Sequence, residues 1–193
     1  MNENRDMLIL KQITETFDEL GIAYTIGGSI ASSFYGVVRF TQDADIMVKP
    51  FPEIADKFYE ITKSDFYISK DAMHQALKSH TSFNLIHLDT AFKIDIFVLP
   101  LTDFQSLLFD RSSQLKLSDS IEKLFCCVSP EDIILLKLRW YLETNCSSER
   151  QWSDVLGVLE VQKNSLDIQY LRTWAKKFAL TDLLEQAISN SKT

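Results

Sequence analysis

Residues Tyr24–Lys49 read YTIGGSIASSFYGVVRFTQDADIMVK. A short apolar run ends in Gly27-Gly28-Ser29, a helix-like stretch closes at Gly36, and a second apolar run opens with Asp43 and Asp45. Alternate side chains of a strand share a face, so two aspartates separated only by Ala44 project together, near enough to share a cation. Hard divalent cations take carboxylate oxygens, and magnesium completes its shell with water and substrate phosphates instead of a closed protein cage. Glycine lets backbone approach a ligand closely, and a helix start presents unpaired N–H groups, so Gly27, Gly28 and Ser29 supply the phosphate half of such a site.

The rest of the composition is compatible with that chemistry and narrows it. A chain of 193 residues, 46% hydrophobic and 24% charged, buries a sizeable core and fits one soluble globular domain or one and a half. A net charge of −7 argues against a surface that grips nucleic acid throughout, though not against a local basic groove. Cys126, Cys127 and Cys146 are odd in number and lack zinc-ligand spacing, so they read as core thiols of a reducing compartment. His74, His80 and His87 are scattered and read as surface or packing residues. No apolar run is long enough to span a bilayer, and MNENRDMLILKQ has no basic flank ahead of an apolar signal core. The expectation is a cytoplasmic protein without a membrane partner.

Outward from the opening stretch, periodicity predicts a helix over 6–20 stopped by Gly21, a strand over 22–26, and a helix over 30–35 with Ser29 as its N-cap. A strand over 43–48 and a helix over 52–62 follow, then a short strand at 65–68 and a helix over 71–78. Runs 82–88 and 92–99, joined by Asp89-Thr90-Ala91, form an antiparallel hairpin. A helix over 102–110 and short strands at 114–117 and 124–128 complete the α/β part. At Ser129 the pattern changes: Ser129 caps, Pro130 opens the helix, and Glu131 and Asp132 fill its first turn ahead of IILLKLRWYLE. Helices over 149–161, 168–178 and 182–189 follow. This divides the chain into 1–128 and a helical 129–193, with no flexible linker between them and no internal repeat.

Asp95 lies inside FKIDIFVL, where Phe92, Ile94, Ile96 and Val98 share one face and Lys93, Asp95 and Phe97 the other. A carboxylate in so apolar a strand is unfavourable without a cation or donor, and an ion pair with Lys93 or Arg39 is the plain structural account. Gly-Gly-Ser after a strand, Asp-x-Asp opening the next, and a lone Asp in a later strand each have ordinary explanations singly. In that order, GGSIASSFYGVVRFTQDADIMV and FKIDIFVL resemble the nucleotidyltransferase superfamily, whose fold is shared with polymerase beta. The nearest pattern is the bacterial branch with Gly-x-x-Arg-x-Thr-x-Asp-x-Asp, which includes antibiotic and minimal nucleotidyltransferases and abortive-infection toxins.

The resemblance implies an α+β fold, a mixed sheet flanked by helices with the C-terminal helical region packed on it. It places Gly28 and Ser29 on the Gly-Ser motif, Asp43 and Asp45 on the paired metal carboxylates, Asp95 on the third, and Arg39 and Thr41 on the lead-in. It further implies two Mg2+ ions at Asp43, Asp45 and Asp95, and a nucleoside triphosphate such as ATP as substrate. Gly27, Gly28, Ser29, Arg39 and Lys49 would hold the nucleotide, with Lys137 and Arg150 as basic residues of the helical part. Arg150 with Asp154 reads equally well as an i,i+4 surface pair. The acceptor implied is an RNA end, a protein side chain or a small hydroxylated molecule, in a toxin–antitoxin or phage-defence setting with a cognate toxin or antitoxin. The alternative is an inactive fold used as a binding or antitoxin module. A third account is an α/β scaffold whose acids fall on different sides.

Overall fold

The structure, a computed structural model, describes residues 3–191. In chain order the elements are α1 (Glu3–Leu20), β1 (Tyr24–Ile26), α2 (Gly28–Tyr35), β2 (Asp43–Val48), a 3-10 turn (Pro52–Ile54) leading into α3 (Ala55–Thr62), β3 (Phe66–Ile68) and α4 (Lys70–Ser79). Then come β4 (Ser82–His87), β5 (Lys93–Val98), α5 (Asp103–Asp110), β6 (Ser113–Leu115), β7 (Phe125–Cys127), α6 (Pro130–Glu143), α7 (Glu149–Val161), α8 (Ile168–Lys177) and α9 (Thr181–Asn190). Among the described residues no helix is long and apolar enough to cross a membrane.

The chain forms two compact units. The first takes the residues up to Gly27 together with Thr41–Cys127; the second takes Gly28–Phe40 and the residues from Val128 onward. Residues 28–40, grouped by sequence position with the α/β part, have their packing partners in the helices beyond residue 128: α2 lies against α6 and α7.

The first unit is built on a mixed sheet of order β3-β4-β5-β2-β1-β7-β6. Its centre is the parallel pair β2 and β5, with β1 antiparallel to β2 and β4 antiparallel to β5. Period-two alternation decides which face is dry. Ala44, Ile46 and Val48 of β2 and Ile94, Ile96 and Val98 of β5 are at most 1% exposed, while Asp43, Asp45, Lys93, Asp95 and Phe97 on the opposite face stay half-buried. The core is completed by Leu10, Ile13 and Phe17 of α1 and Phe58 of α3, the Phe17 and Phe58 rings stacked with centroids 5.5 Å apart. The hairpin closes through Asp89-Thr90-Ala91 as expected, with Ala91 at φ 58°. The expected single helix over 52–62 is instead a 3-10 turn followed by α3, because the chain tightens at Pro52 before α-helical bonding begins.

The second unit is helical. Ser129 caps α6 as its sequence predicts, its hydroxyl accepting from the Asp132 N–H at 3.1 Å. Ser29, in contrast, is not an N-cap: α2 already starts at Gly28, whose φ of +55° suits glycine, and Ser29 sits in the first turn. Gly36 and Gly157 let α2 and α7 approach backbone to backbone. A Cβ on Gly36 would lie 2.8 Å from the Gly157 carbonyl carbon and from the Val158 nitrogen. Because backbone has little room to yield, Gly36→Ala is expected to cost about 1–3 kcal/mol, read as a lower urea midpoint at unchanged m-value.

Candidate functional site

Asp45 and Asp95 are register partners on the central parallel strands, and Asp43 pairs with Lys93 one step earlier on the same face. Their backbones are therefore about 4.8 Å apart, and the four side chains form a two-by-two array of three carboxylates and one ammonium. The Lys93 Nζ donates to Asp95 Oδ2 at 2.8 Å and lies 2.8 Å from Oδ1. Thr41 Oγ1 donates to Asp43 Oδ1 at 2.9 Å and to the Asp43 carbonyl at 3.2 Å. An all-oxygen donor set of this kind suits a hard divalent cation. The rotamers do not: among the described residues no three His, Cys, Asp or Glu side chains are gathered as a metal would gather them. Asp95 is turned onto Lys93 instead, as the ion-pair reading of this strand anticipates.

Gly27 lies on the other flank of Asp45. Its N–H donates to the Asp45 carbonyl at 2.9 Å, so Gly27, Asp45, Asp95 and Asn84, the β4 partner of Asp95, form one row across the sheet. A Cβ on Gly27 would meet the Met47 methyl at 2.5 Å. Lys49 is not brought to this row. It follows the far end of β2, about 13 Å along the strand from Asp45, and its ammonium lies 5.2 Å from the Phe109 ring centroid.

In the second unit Ser29 belongs to a charge cluster that the linear sequence conceals. Arg39 Nε and Nη2 donate to Asp154 Oδ1 and Oδ2 at 2.8 and 2.9 Å, a bidentate pair, and the same Nη2 donates to Ser29 Oγ at 2.5 Å. Lys137 Nζ donates to Asp154 Oδ2 at 2.7 Å. The side chains of Asp154 and Lys137 are 5% and 6% exposed, that of Arg39 25%. Two cations on one carboxylate leave this cluster with one positive charge beside the start of α2. Arg150 is exposed in the first turn of α7, and the carboxylate it was paired with by sequence spacing is held by Arg39 and Lys137. The central role of Asp154 had no local signal, since its partners lie 115 and 17 residues away.

Burial pushes the Asp154 carboxyl up, but the hydrogen bonds and charges of Arg39 and Lys137 outweigh it and hold the group below its ordinary 3.8. A carboxyl depressed in the folded chain contributes its full stabilisation above the unfolded value and loses it as pH falls through the folded one. Stability should therefore fall with acidification from about pH 4 downward, and Asp154→Asn should flatten that limb. Trp140, Trp152 and Trp174 all lie in this unit, so intrinsic tryptophan fluorescence reads it directly.

No family model matches the sequence, and no curated protein matches it. Solved structures do. ANT(2″)-Ia in complex with adenylyl-2″-tobramycin aligns at a TM-score of 0.60 and 16% identity, over 91% of this chain and 97% of that one. The chain has the nucleotidyltransferase fold. A second structure with the nucleotidyltransferase fold is the lincosamide antibiotic adenylyltransferase LnuA with lincomycin bound, at TM-score 0.55 and 16% identity over 83% and 98% of the two chains. An antigenic nucleotidyltransferase-like protein from Paracoccidioides brasiliensis aligns at 0.55 and 16% over 98% and 94%. The expected α+β architecture thus stands, and within the nucleotidyltransferase fold the carboxylate row occupies the two central parallel strands.

Proposed function

We propose that the protein is a nucleotidyltransferase that moves a nucleoside monophosphate from a nucleoside triphosphate to a hydroxyl group of a small molecule. The observation that carries this is the in-register pair Asp45 and Asp95, with Asp43 on the same face, in a chain of this fold. Transfer asks little covalent chemistry of the protein; it needs positioning and compensation of charge on the phosphate oxygens. Magnesium, when held by Asp43, Asp45 and Asp95, would supply that compensation and lower the pKa of the acceptor hydroxyl. Asp95 would take the proton of the acceptor hydroxyl, the hydroxyl oxygen would form the new bond to the α-phosphorus, and the bond from that phosphorus to the oxygen bridging to the β-phosphate would break, releasing pyrophosphate. Gly28 and Ser29 offer the N–H groups of the α2 start to the β and γ phosphates. Arg39, anchored by Asp154, orients the Ser29 hydroxyl and acts as a positioning residue, with Lys137 holding Asp154 in place.

A small hydroxylated acceptor is preferred because an acidic chain is a poor partner for an RNA backbone. The antibiotic acceptors of two structural neighbours point the same way. The test is incubation with each α-labelled nucleoside triphosphate and magnesium, with a small-molecule extract, total RNA or protein lysate as acceptor. Label in the extract is the expected result; label in RNA or protein reassigns the acceptor, and label in none removes the activity. Free thiols at Cys126, Cys127 and Cys146 support a reducing compartment, the cytoplasm.

The pairing of Lys93 with Asp95 favours a second reading, an inactive fold serving as a binding or antitoxin module. Titration calorimetry with magnesium, with and without a non-hydrolysable triphosphate, separates the two. Binding of neither ligand supports the module.

A further inference from the structure

The register of β3, β4 and β5 sets a second surface beside Asp95. Asn84 of β4 is paired with Asp95, Ile86 with Lys93, and Tyr67 of β3 with Ile86. Residues paired across strands point to one side of a sheet, so Tyr67, Ile86, Asn84 and Ser82, the partner of Phe97, share the face that carries Asp95. That face is open at this edge: Tyr67 is 60% exposed, Ser82 and Asn84 are exposed, and Ile86 is half-buried. The opposite face is dry, with Ile68, Phe83 and Leu85 at most 7% exposed and α4 lying against β4. Asn84 stands one strand, about 5 Å, from Asp95, Ile86 about 7–8 Å away on the diagonal, and the Tyr67 backbone about 12 Å away.

We propose that Tyr67, Ile86 and Asn84 form the acceptor subsite and that it takes an uncharged polyol ring, a saccharide or cyclitol unit. This rests on the reading of Asp95 as the group that takes the acceptor proton and of the α2 start as the phosphate site. In an in-line displacement the attacking oxygen and the leaving pyrophosphate lie on opposite sides of the α-phosphorus. Gly27 closes the Asp45–Asp95 row on one flank and leads straight into the start of α2. The acceptor therefore approaches from the other flank, where Asn84 stands. The surface there is polar next to Asp95 and apolar beyond it. A polyol ring matches both halves: its C–H face lies on the Tyr67 ring and Ile86, and its rim hydroxyls meet the Asn84 amide, which both donates and accepts. Tyr67, Ser82, Asn84 and Ile86 carry no charge, which suits an uncharged ligand. A phosphate backbone does not match, because Lys93 is the one cation among the outward residues of β3, β4 and β5, and it already donates to Asp95 at 2.8 Å.

The probes are myo-inositol and the methyl glycosides of glucose, galactose and mannose, tested on the full chain by saturation-transfer NMR. At least one is expected to receive saturation at its C–H protons from wild type, to lose it with Tyr67→Ala, and to keep it with Tyr67→Trp, which restores an aromatic face. Binding of inositol alone assigns a cyclitol, binding of a glycoside a saccharide. In label transfer to a small-molecule extract, Tyr67→Ala and Asn84→Ala should each raise the extract concentration for half-maximal rate about tenfold, with kcat and the triphosphate KM within about twofold of wild type. Both residues are exposed, so neither change should prevent folding. If no probe binds wild type, or if binding or the half-maximal concentration is unmoved by both variants, the subsite is overturned, while label in the extract leaves the transferase reading standing. Label in RNA or protein overturns the polyol acceptor. If Asp95→Asn transfers label as fast as wild type, the transferase reading itself is wrong and this inference falls with it.

Discussion

Asp95→Asn, supplied with magnesium and α-labelled nucleoside triphosphate, is expected to incorporate label about a thousandfold more slowly than wild type, with far-UV circular dichroism unchanged. The substitution keeps shape but turns one acceptor oxygen into an amide donor and removes a negative charge and a proton acceptor at one position. A metal-organised phosphate displacement draws several kcal/mol from charge compensation, and about 4 kcal/mol corresponds to three decades in rate. Asp43→Ala should act in the same direction. Neither change should lower stability by much: Asp43 and Asp95 are half-buried, and losing one acid from the row relieves repulsion. Separation of rate from stability distinguishes catalytic acids from structural ones, and retention of full incorporation by either variant would end the enzyme assignment.

The second large effect is on stability. Asp154→Ala removes the carboxylate that holds the Lys137 ammonium, whose side chain is 6% exposed, and the bidentate partner of the Arg39 guanidinium. Breaking a buried ion pair by removing one partner costs about 3–5 kcal/mol, and for a chain of this size that lowers the melting point by roughly 10 °C. The double variant Asp154→Leu with Lys137→Met should regain much of this, because apolar groups of similar volume replace buried charges at little cost. Tryptophan fluorescence follows both, since every tryptophan is in the second unit. A loss below about 1 kcal/mol for Asp154→Ala would mean that water reaches this cluster and that the pair is worth no more than a surface one.

Much of this protein is legible along the chain. Alternation in DADIMV and FKIDIFV is enforced by the strand backbone itself, so the dry face of Ile46, Val48, Ile94 and Ile96 and the acid-bearing face of Asp43, Asp45 and Asp95 follow from residue order. Ser129-Pro130 at the head of α6, Gly21 at φ +67° closing α1 and the turn between β4 and β5 are equally local, each decided by a few dihedrals and one or two hydrogen bonds. Tertiary structure alone decided which distant charges meet. Arg39 is paired with Asp154 115 residues away and donates to Ser29; Lys49 sits at the wrong end of β2; α2 joins helices beyond residue 128. Propensity and alternation act over a few bonds and are written in order of residues, whereas the partner of a charge is chosen by whichever opposite charge the closed chain delivers within 3 Å or so, and that distance exists only once the fold has formed.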